Sequence, residues 1–477
     1  MRASTGGKAI SIAAGTLGHA LRRTAGLSPP HQPTTMHKLF TFILLLPFVV
    51  RPAHAQETDA TKRLQEMVRK ADKASMGGMV NYVHADILYQ EALALAPDDP
   101  ELNLKMGLCQ LNGPFRHKAL PYLLKAAEGG MAYPPLYYLV GYAHQLNGHW
   151  DEAVAAYEKH NRSYVAEPGS DPLYTTANRR IAECRNGARL SASPRDWKVE
   201  NAGERINSMY ADYGALPTLD ANTIWFTSRR PGASARVNKA TREYYEDIHV
   251  VRRSGAEWGP VEVLSAPVNS PGNDATVCLA HDGRTMLIYR DDSKGKGNIL
   301  QCTWNGQGWS APTGLGSNIN TPHHEGSAWI TADGQWLYFT SDDPEESMGG
   351  QDIFRSRWDP TTNSWGMAEN LGPDVNTNQD EEGVFVTTDG NTIYFSSKGH
   401  DSMGGYDIFR STYVNGRWTK PENLGVPVNS PDDDVFFVLS ADGRTGWFSS
   451  TRPGGFGEDD IYTVILPVED TATPARP

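Results

Sequence analysis

Cysteine is scarce. Cys109, Cys184, Cys278 and Cys302 are the only four in 477 residues, and their scattered spacing excludes a disulfide framework and offers no C-x-x-C metal clip. Basic excess is missing as well. With 44 Lys and Arg against 56 Asp and Glu, the formal net charge is -12 and no basic block stands out, so the footprint that neutralises nucleic-acid phosphates is absent. The H-E-x-x-H, G-x-S-x-G and P-loop signatures are lacking too. No catalytic residue, metal ligand or cofactor is therefore assigned. The apolar run from Leu39 to Val50 falls short of the roughly 20 residues that a spanning helix needs, so no transmembrane span is expected in the mature chain.

That run instead sits inside residues 36–55, MHKLFTFILLLPFVVRPAHA, between a short basic start and the small-x-small triplet Ala53-His54-Ala55. This order predicts a signal peptide cleaved before Gln56 and export of the chain. No Cys lies at the cleavage point, which argues against a lipoprotein. Residues 1–35 contain Arg and Lys without one acidic residue, and read as a leader extension or an upstream start. In an oxidising compartment disulfides are allowed. Cys278 and Cys302, however, fall on the first and third strands of one repeat, roughly 10 Å apart, too far for a bridge.

Between residues 57 and 190 the text is helical with a period of 34: Ala85, Ala119 and Ala153 are successive, Ala92 matches Ala126, and Gly107 matches Gly141. This is the tetratricopeptide spacing. Pro97 ends a helix, and Asn-Gly at 112–113 and 147–148 breaks the chain between helices. Three helix pairs with a capping helix near Thr175 to Asn186 are expected. Such an array offers either a groove for a peptide or partner helix, or a rigid spacer. The segment SASPRD, 191–196, is a short boundary that predicts a fixed arrangement of what it joins.

From 191 to 466 a second repeat takes over. Asp220, Asp282, Asp333, Asp389 and Asp442 open turns before aromatic runs such as QWLYFTS, and the pairs Asp247-Ile248, Asn298-Ile299, Asp352-Ile353, Asp407-Ile408 and Asp460-Ile461 precede the next strand. Trp258, Trp309, Trp365 and Trp418 then lead to Asn269, Asn320, Asn376 and Asn429. The chain enters with the last of these landmarks, Trp197 and Asn207, before any Asp-Gly strand, whereas the final repeat has no Trp segment after it. This phase predicts a five-bladed β-propeller closed by an N-terminal strand. The whole is thus a multidomain α plus all-β chain: helical repeats, then a propeller, then a disordered tail at 467–477.

Asp212, Asp274, Glu325, Glu381 and Asp434 each stand eight residues before the turn Asp and five after the blade-opening Asn. They are candidates for a ring at one mouth of the channel that binds a cation or a basic segment. Alternatively each accepts hydrogen bonds at a blade junction, as do Asn207, Asn269, Asn320, Asn376 and Asn429, while the tryptophans anchor blades rather than stack on sugars. Catalytic acids need unlike environments, and five equivalent carboxylates offer none. The residues that break the repeat are His323-His324, Asp432-Asp433, His400-Asp401 and the insert from Arg229 to Glu246. Of these the insert is the best place for a partner-specific contact. The Ser-Met-Gly-Gly runs at 347–350 and 402–405 are read as tight turns with positive φ, not phosphate loops.

With its helical array, the stretch ENAGERINSMYADYGALPTLDANTIWFTSRRPG, and the motifs SSKGHDSMGGYDIFRS and PVNSPDDDVFFVLSADGR, the chain resembles the TolB-like, WD40-like propeller proteins of the Bacteroidetes envelope. The resemblance implies a non-enzymatic periplasmic scaffold, peripheral to the outer membrane, that binds protein partners in outer-membrane assembly or type IX secretion. Many relatives continue into an OmpA-like domain. No such stretch follows ILPVEDTATPARP here, so peptidoglycan binding is not carried over. The alternatives are a carbohydrate-active propeller enzyme and a passive structural spacer.

Overall fold

The computed structural model describes residues 59–467, apart from 77, 164–171, 233–235, 240 and 292–295. The signal peptide, the leader extension and all but the first residue of the tail lie outside the described residues.

Seven α-helices come first: α1 (Asp59–Ala74), α2 (Gly78–Leu95), α3 (Pro100–Asn112), α4 (Leu120–Glu128), α5 (Leu136–Leu146), α6 (Trp150–Ser163) and α7 (Pro172–Ser191). Asp99 caps α3 by accepting from the Leu102 N–H, with Pro100 at the first helical position, where a missing N–H costs nothing. Each helix lies against the next along the chain. The 34-residue period has a steric basis. Ala85, Ala119 and Ala153 are fully buried, as are Ala92 and Ala126. A Cβ on Gly107 of α3 would lie 2.6 Å from Leu123 of α4, and one on Gly141 of α5 would lie 2.8 Å from the Tyr157 ring of α6. Small residues therefore recur where helices cross closest.

The rest is five sheets. Blade 1 holds β2 (Asp212–Pro217), β3 (Thr223–Ser228), β4 (Asp247–Ser254), β5 (Glu257–Trp258) and β6 (Glu262–Val263). Blade 2 holds β7 (Asp274–Leu279), β8 (Thr285–Asp291), β9 (Gly297–Thr303) and β10 (Thr313–Gly314). Blade 3 is β11 (Glu325–Ile330), β12 (Trp336–Ser341), β13 (Asp352–Asp359), β14 (Ser364–Trp365) and β15 (Glu369–Asn370). Blade 4 is β16 (Glu381–Val386), β17 (Thr392–Ser397), β18 (Asp407–Val414), β19 (Arg417–Trp418) and β20 (Glu422–Asn423). Blade 5 takes β21 (Asp434–Leu439), β22 (Thr445–Ser450) and β23 (Asp460–Ile465) from the end of the chain, and β1 (Lys198–Asn201) from its beginning. Lys198 pairs with Ile465 and Asn201 with Tyr462, antiparallel, so the five-bladed ring is closed by its N-terminal strand. Closure covers the edge of β23 that would otherwise stay unpaired.

All four cysteines are buried free thiols. Cys278 belongs to an apolar cluster with Ile299, Phe339 and Trp365, whereas Cys302 belongs to a different one with Met286 and Ile288.

Candidate functional site

Two sequence landmarks of the propeller meet each other. The side chain of Asn429 accepts from the Ile408 N–H at 2.8 Å and donates to the Ile408 carbonyl at 2.9 Å. Asn269 clasps Ile248, Asn320 clasps Ile299, and Asn376 clasps Ile353 in the same way, through both the N–H and the C=O. In blade 5 the partner of Ile461 is Asn207, 254 residues earlier in the chain. Asparagine suits this position because one amide supplies an acceptor to the isoleucine N–H and a donor to its C=O. In blades 1, 3, 4 and 5 that C=O also accepts a backbone N–H, from Leu264, Leu371, Leu424 and Ala202 respectively.

The five repeat carboxylates stand at the first residue of each innermost strand, and every one is 0% exposed. They present no charge to solvent at a channel mouth; their hydrogen bonds run back into their own blades. Asp212 accepts from Ser208 N–H and Arg230, Asp274 from Ser270 N–H and Arg290, and Asp434 from Ser430 N–H and Arg452. Glu325 and Glu381 have no arginine. The longer side chain instead reaches a threonine and a serine: Thr321 and Ser341 for Glu325, Thr377 and Ser397 for Glu381. Burial pushes the Glu325 carboxyl up to about 7 and the Glu381 carboxyl up to about 8, with the hydrogen bonds opposing it.

The tryptophans pack inside the ring. Trp258 meets Trp447 of blade 5 edge-on at 6.3 Å, Trp309 meets Trp225 of blade 1 at 5.7 Å, and Trp418 meets Tyr338 of blade 3 at 6.2 Å. Trp365 packs with Leu287 of blade 2, and Trp197 joins the main propeller cluster under Arg195. Each ring reaches the neighbouring blade or the core, leaving no exposed stacking platform among them.

One expectation needs correction. Gly349, Gly350, Gly404 and Gly405 do not adopt positive φ. They are glycine because the next blade crosses too near for a side chain: a Cβ on Gly404 would lie 2.3 Å from the Pro431 carbonyl, and one on Gly349 would lie 2.4 Å from Asn378.

Some of the residues that break the repeat, Asp401, Asp432 and the insert, stand where the helices meet the propeller. Arg116, in the turn between α3 and α4, reaches Asp432 at 2.9 Å, with both side chains 7% exposed. From α7, Arg180 donates to the Gly404 carbonyl at 3.0 Å and pairs with Glu183 at 2.8 Å, while Arg189 binds Asp401 at 2.6 Å. Gln145 of α5 donates to the Met403 carbonyl at 3.3 Å. Arg195 joins Glu422 across the boundary segment. His324 is buried in blade 3 with its N–H on Asp342, and His400 holds the Val375 carbonyl. Sequence reasoning missed this seam. Its signal was the Asp432-Asp433 pair, whose charges require a cation that the propeller repeat does not supply.

The insert bounds a cavity of about 360 Å³ lined by Asn81, Tyr210, Arg229, Val237, Arg242, Glu243, Tyr244 and Glu458. Tyr210 and Tyr244 stand edge-to-face at 5.6 Å. Arg229 is held by Glu243 and Glu246, each at 2.5 Å, and Arg242 donates to the Met76 carbonyl after α1. The cavity thus lies between helical array and propeller, where binding sites are commonly built. At the opposite ends of the inner strands a cavity of about 90 Å³ is lined by apolar residues of all five blades, among them Leu216, Leu279, Ile330, Phe385 and Leu439.

Among solved structures, similar chains include TolB from Acinetobacter baumannii, 17% identical over 63% of this chain and 71% of that one, TM-score 0.32. A thermostable family-43 glycoside hydrolase is 14% identical over 56% and 94%, TM-score 0.39. The propeller domain of the Trilobed protease from Pyrococcus furiosus is 9% identical over 55% and 72%, TM-score 0.28. No protein-family model matches the chain, and no curated protein matches it.

Proposed function

We propose that this chain is a non-enzymatic scaffold at the periplasmic side of the cell envelope, in which tetratricopeptide-like helices and a propeller together hold protein partners in outer-membrane assembly or secretion. The observation that carries this reading is the buried seam of Arg116, Arg180 and Gln145. It fixes the helical array and the propeller to each other, and the cavity at the insert is a second place where the two meet. A spacer does not require an aromatic and charged cavity at its joint. The helical period, with glycine at each close crossing, supports the tetratricopeptide reading. The repeat carboxylates are buried at the starts of the inner strands, away from solvent.

The test is affinity purification of the tagged chain from Gln56 onward out of gently solubilised envelopes, with and without cross-linking. Stoichiometric recovery of envelope components supports the scaffold. Recovery of the chain alone overturns it and directs attention to glycan-hydrolysis screens.

A further inference from the structure

The backbone bonds that sew one blade to the next also bring carboxylates together. Glu381 N–H donates to the Gln351 carbonyl at 2.8 Å, which sets Glu381 beside Asp352. Asp434 N–H on the Tyr406 carbonyl does the same for Asp434 and Asp407, and Asp212 N–H on the Asp459 carbonyl for Asp212 and Asp460. All six side chains are 0% exposed.

The third-strand aspartates are bonded on one side only. Asp352 Oδ2 accepts from Met348 N–H and Asn370, Asp407 Oδ2 from Met403 N–H and Asn423, and Asp460 Oδ2 from Phe456 N–H and Asn201. Oδ1 of each of the three is buried with no hydrogen-bond partner. An ionised carboxylate oxygen left so in the interior is costly, because it is desolvated without compensation. A protonated oxygen is a donor, and the neighbouring carboxylate is an acceptor. Blade 2 makes the substitution itself: it carries Asn298, the neutral counterpart of a protonated aspartate, where the other four blades carry Asp.

We infer that the junctions between blades are proton-binding sites, in which Asp352 with Glu381, Asp407 with Asp434, and Asp460 with Asp212 each share one proton in the native ring.

The junction of blades 3 and 4 is the sharpest case. Asp434 and Asp212 keep Arg452 and Arg230 as counter-ions, but Glu381 faces only Thr377, Ser397 and Asp352. The other charges near Asp352 are Asp380 and its partner Lys398. At the blade 4–5 junction Asp407 also faces Glu183 of α7, itself bound to Arg180. Two carboxylates held together cannot both ionise cheaply, which is the condition for sharing a proton. The directions agree: burial raises Asp352, Asp407 and Glu381. A raised carboxyl contributes stability that is complete below its unfolded value, 4.5 for Glu381, and is lost as pH rises through about 8.

The experiment is thermal unfolding of the full chain from pH 5 to pH 9 for the wild type, Asp352→Asn and Glu381→Gln. The wild-type Tm should fall relative to Asp352→Asn as pH rises, with the curves converging in acid and Asp352→Asn the more stable at pH 9. Parallel curves, or an Asp352→Asn loss equal at pH 5 and pH 9, would show an ionised Asp352 and overturn the inference. If Asp352→Asn does not fold, Glu381→Gln reads the same difference. Stabilisation of the wild type at pH 9 by millimolar calcium or sodium chloride, absent in the variant, would overturn it in favour of a cation site.

Discussion

Arg116 and Asp432 lie 2.9 Å apart with 7% of each side chain exposed, and they join a turn of the helical array to a propeller loop. Burial and the neighbouring Asp433 push the Asp432 carboxyl up, and Arg116 pulls it back. The guanidinium also bonds Tyr142 and faces Asp433 and Asp459, so it stands among three carboxylates. Arg116→Ala should therefore cost about 3–5 kcal/mol, the usual loss when one member of a buried pair is stranded. Denaturant unfolding, with limited proteolysis across residues 191–196, reads the loss. Arg116→Met with Asp432→Leu should recover most of it.

Asn429 and Asn207 make the same clasp, yet their roles in the chain differ. Either change to Ala leaves the buried N–H of an isoleucine unpaired, at about 1–3 kcal/mol, while its C=O keeps a backbone bond from Leu424 in blade 4 or Ala202 in blade 5. Asn429→Ala should lower the denaturation midpoint and leave a single cooperative transition. Asn207→Ala weakens the closing contact and should also speed hydrogen exchange along β23 and β1. Equal exchange in the two variants would show that closure does not depend on Asn207.

His249 is 3% exposed beneath Phe226, with Nδ1 against the Asp247 carbonyl, and burial pushes it down to about 4. A histidine kept neutral in the fold contributes stability that is complete above its unfolded value, about 6.5, and is lost as pH falls toward 4. His249→Gln should therefore hold its Tm better than the wild type between pH 6.5 and pH 4. This trend is opposite in sign to that of the blade-junction carboxylates, so the two variants separate the two effects.

Gly141→Ala adds a better helix former to α5, a gain of about 1 kcal/mol in an exposed helix. Here the new Cβ meets the fully buried Tyr157 ring at 2.8 Å. Tyr157 is fixed by its bond to Gln145, so overpacking at about 1–3 kcal/mol should win and lower the Tm. A rise in Tm would mean that the crossing of α5 and α6 is looser than its geometry.

The repeat made most of the architecture legible. Asp-Ile, Trp and Asn recur because each blade must satisfy the same backbone and cover the same face, so period and phase gave five blades and a closing strand. The repeat carboxylates were legible as positions but not as chemistry. Whether a carboxylate at a strand start faces water or its own blade depends partly on the Ser or Thr four residues earlier, which recurs with the repeat as Ser208 and Thr377 do, and partly on whether another strand brings an arginine such as Arg452. Spacing does not encode the second part.

Alone, the sequence determined what local rules and periodicity control: helices with small residues at a 34-residue interval, strands opened by Asp-Gly turns, and a chain that enters the ring out of phase. Tertiary structure decided everything that depends on which surfaces meet. It brought Arg116 to Asp432 and Asn207 to Ile461, contacts spanning more than 250 residues, and it made the Ser-Met-Gly-Gly glycines obligatory through the approach of a neighbouring blade rather than through their own φ. A contact such as Arg116 with Asp432 carries no period, because it is made once, and a pattern read along the chain registers only what is made repeatedly.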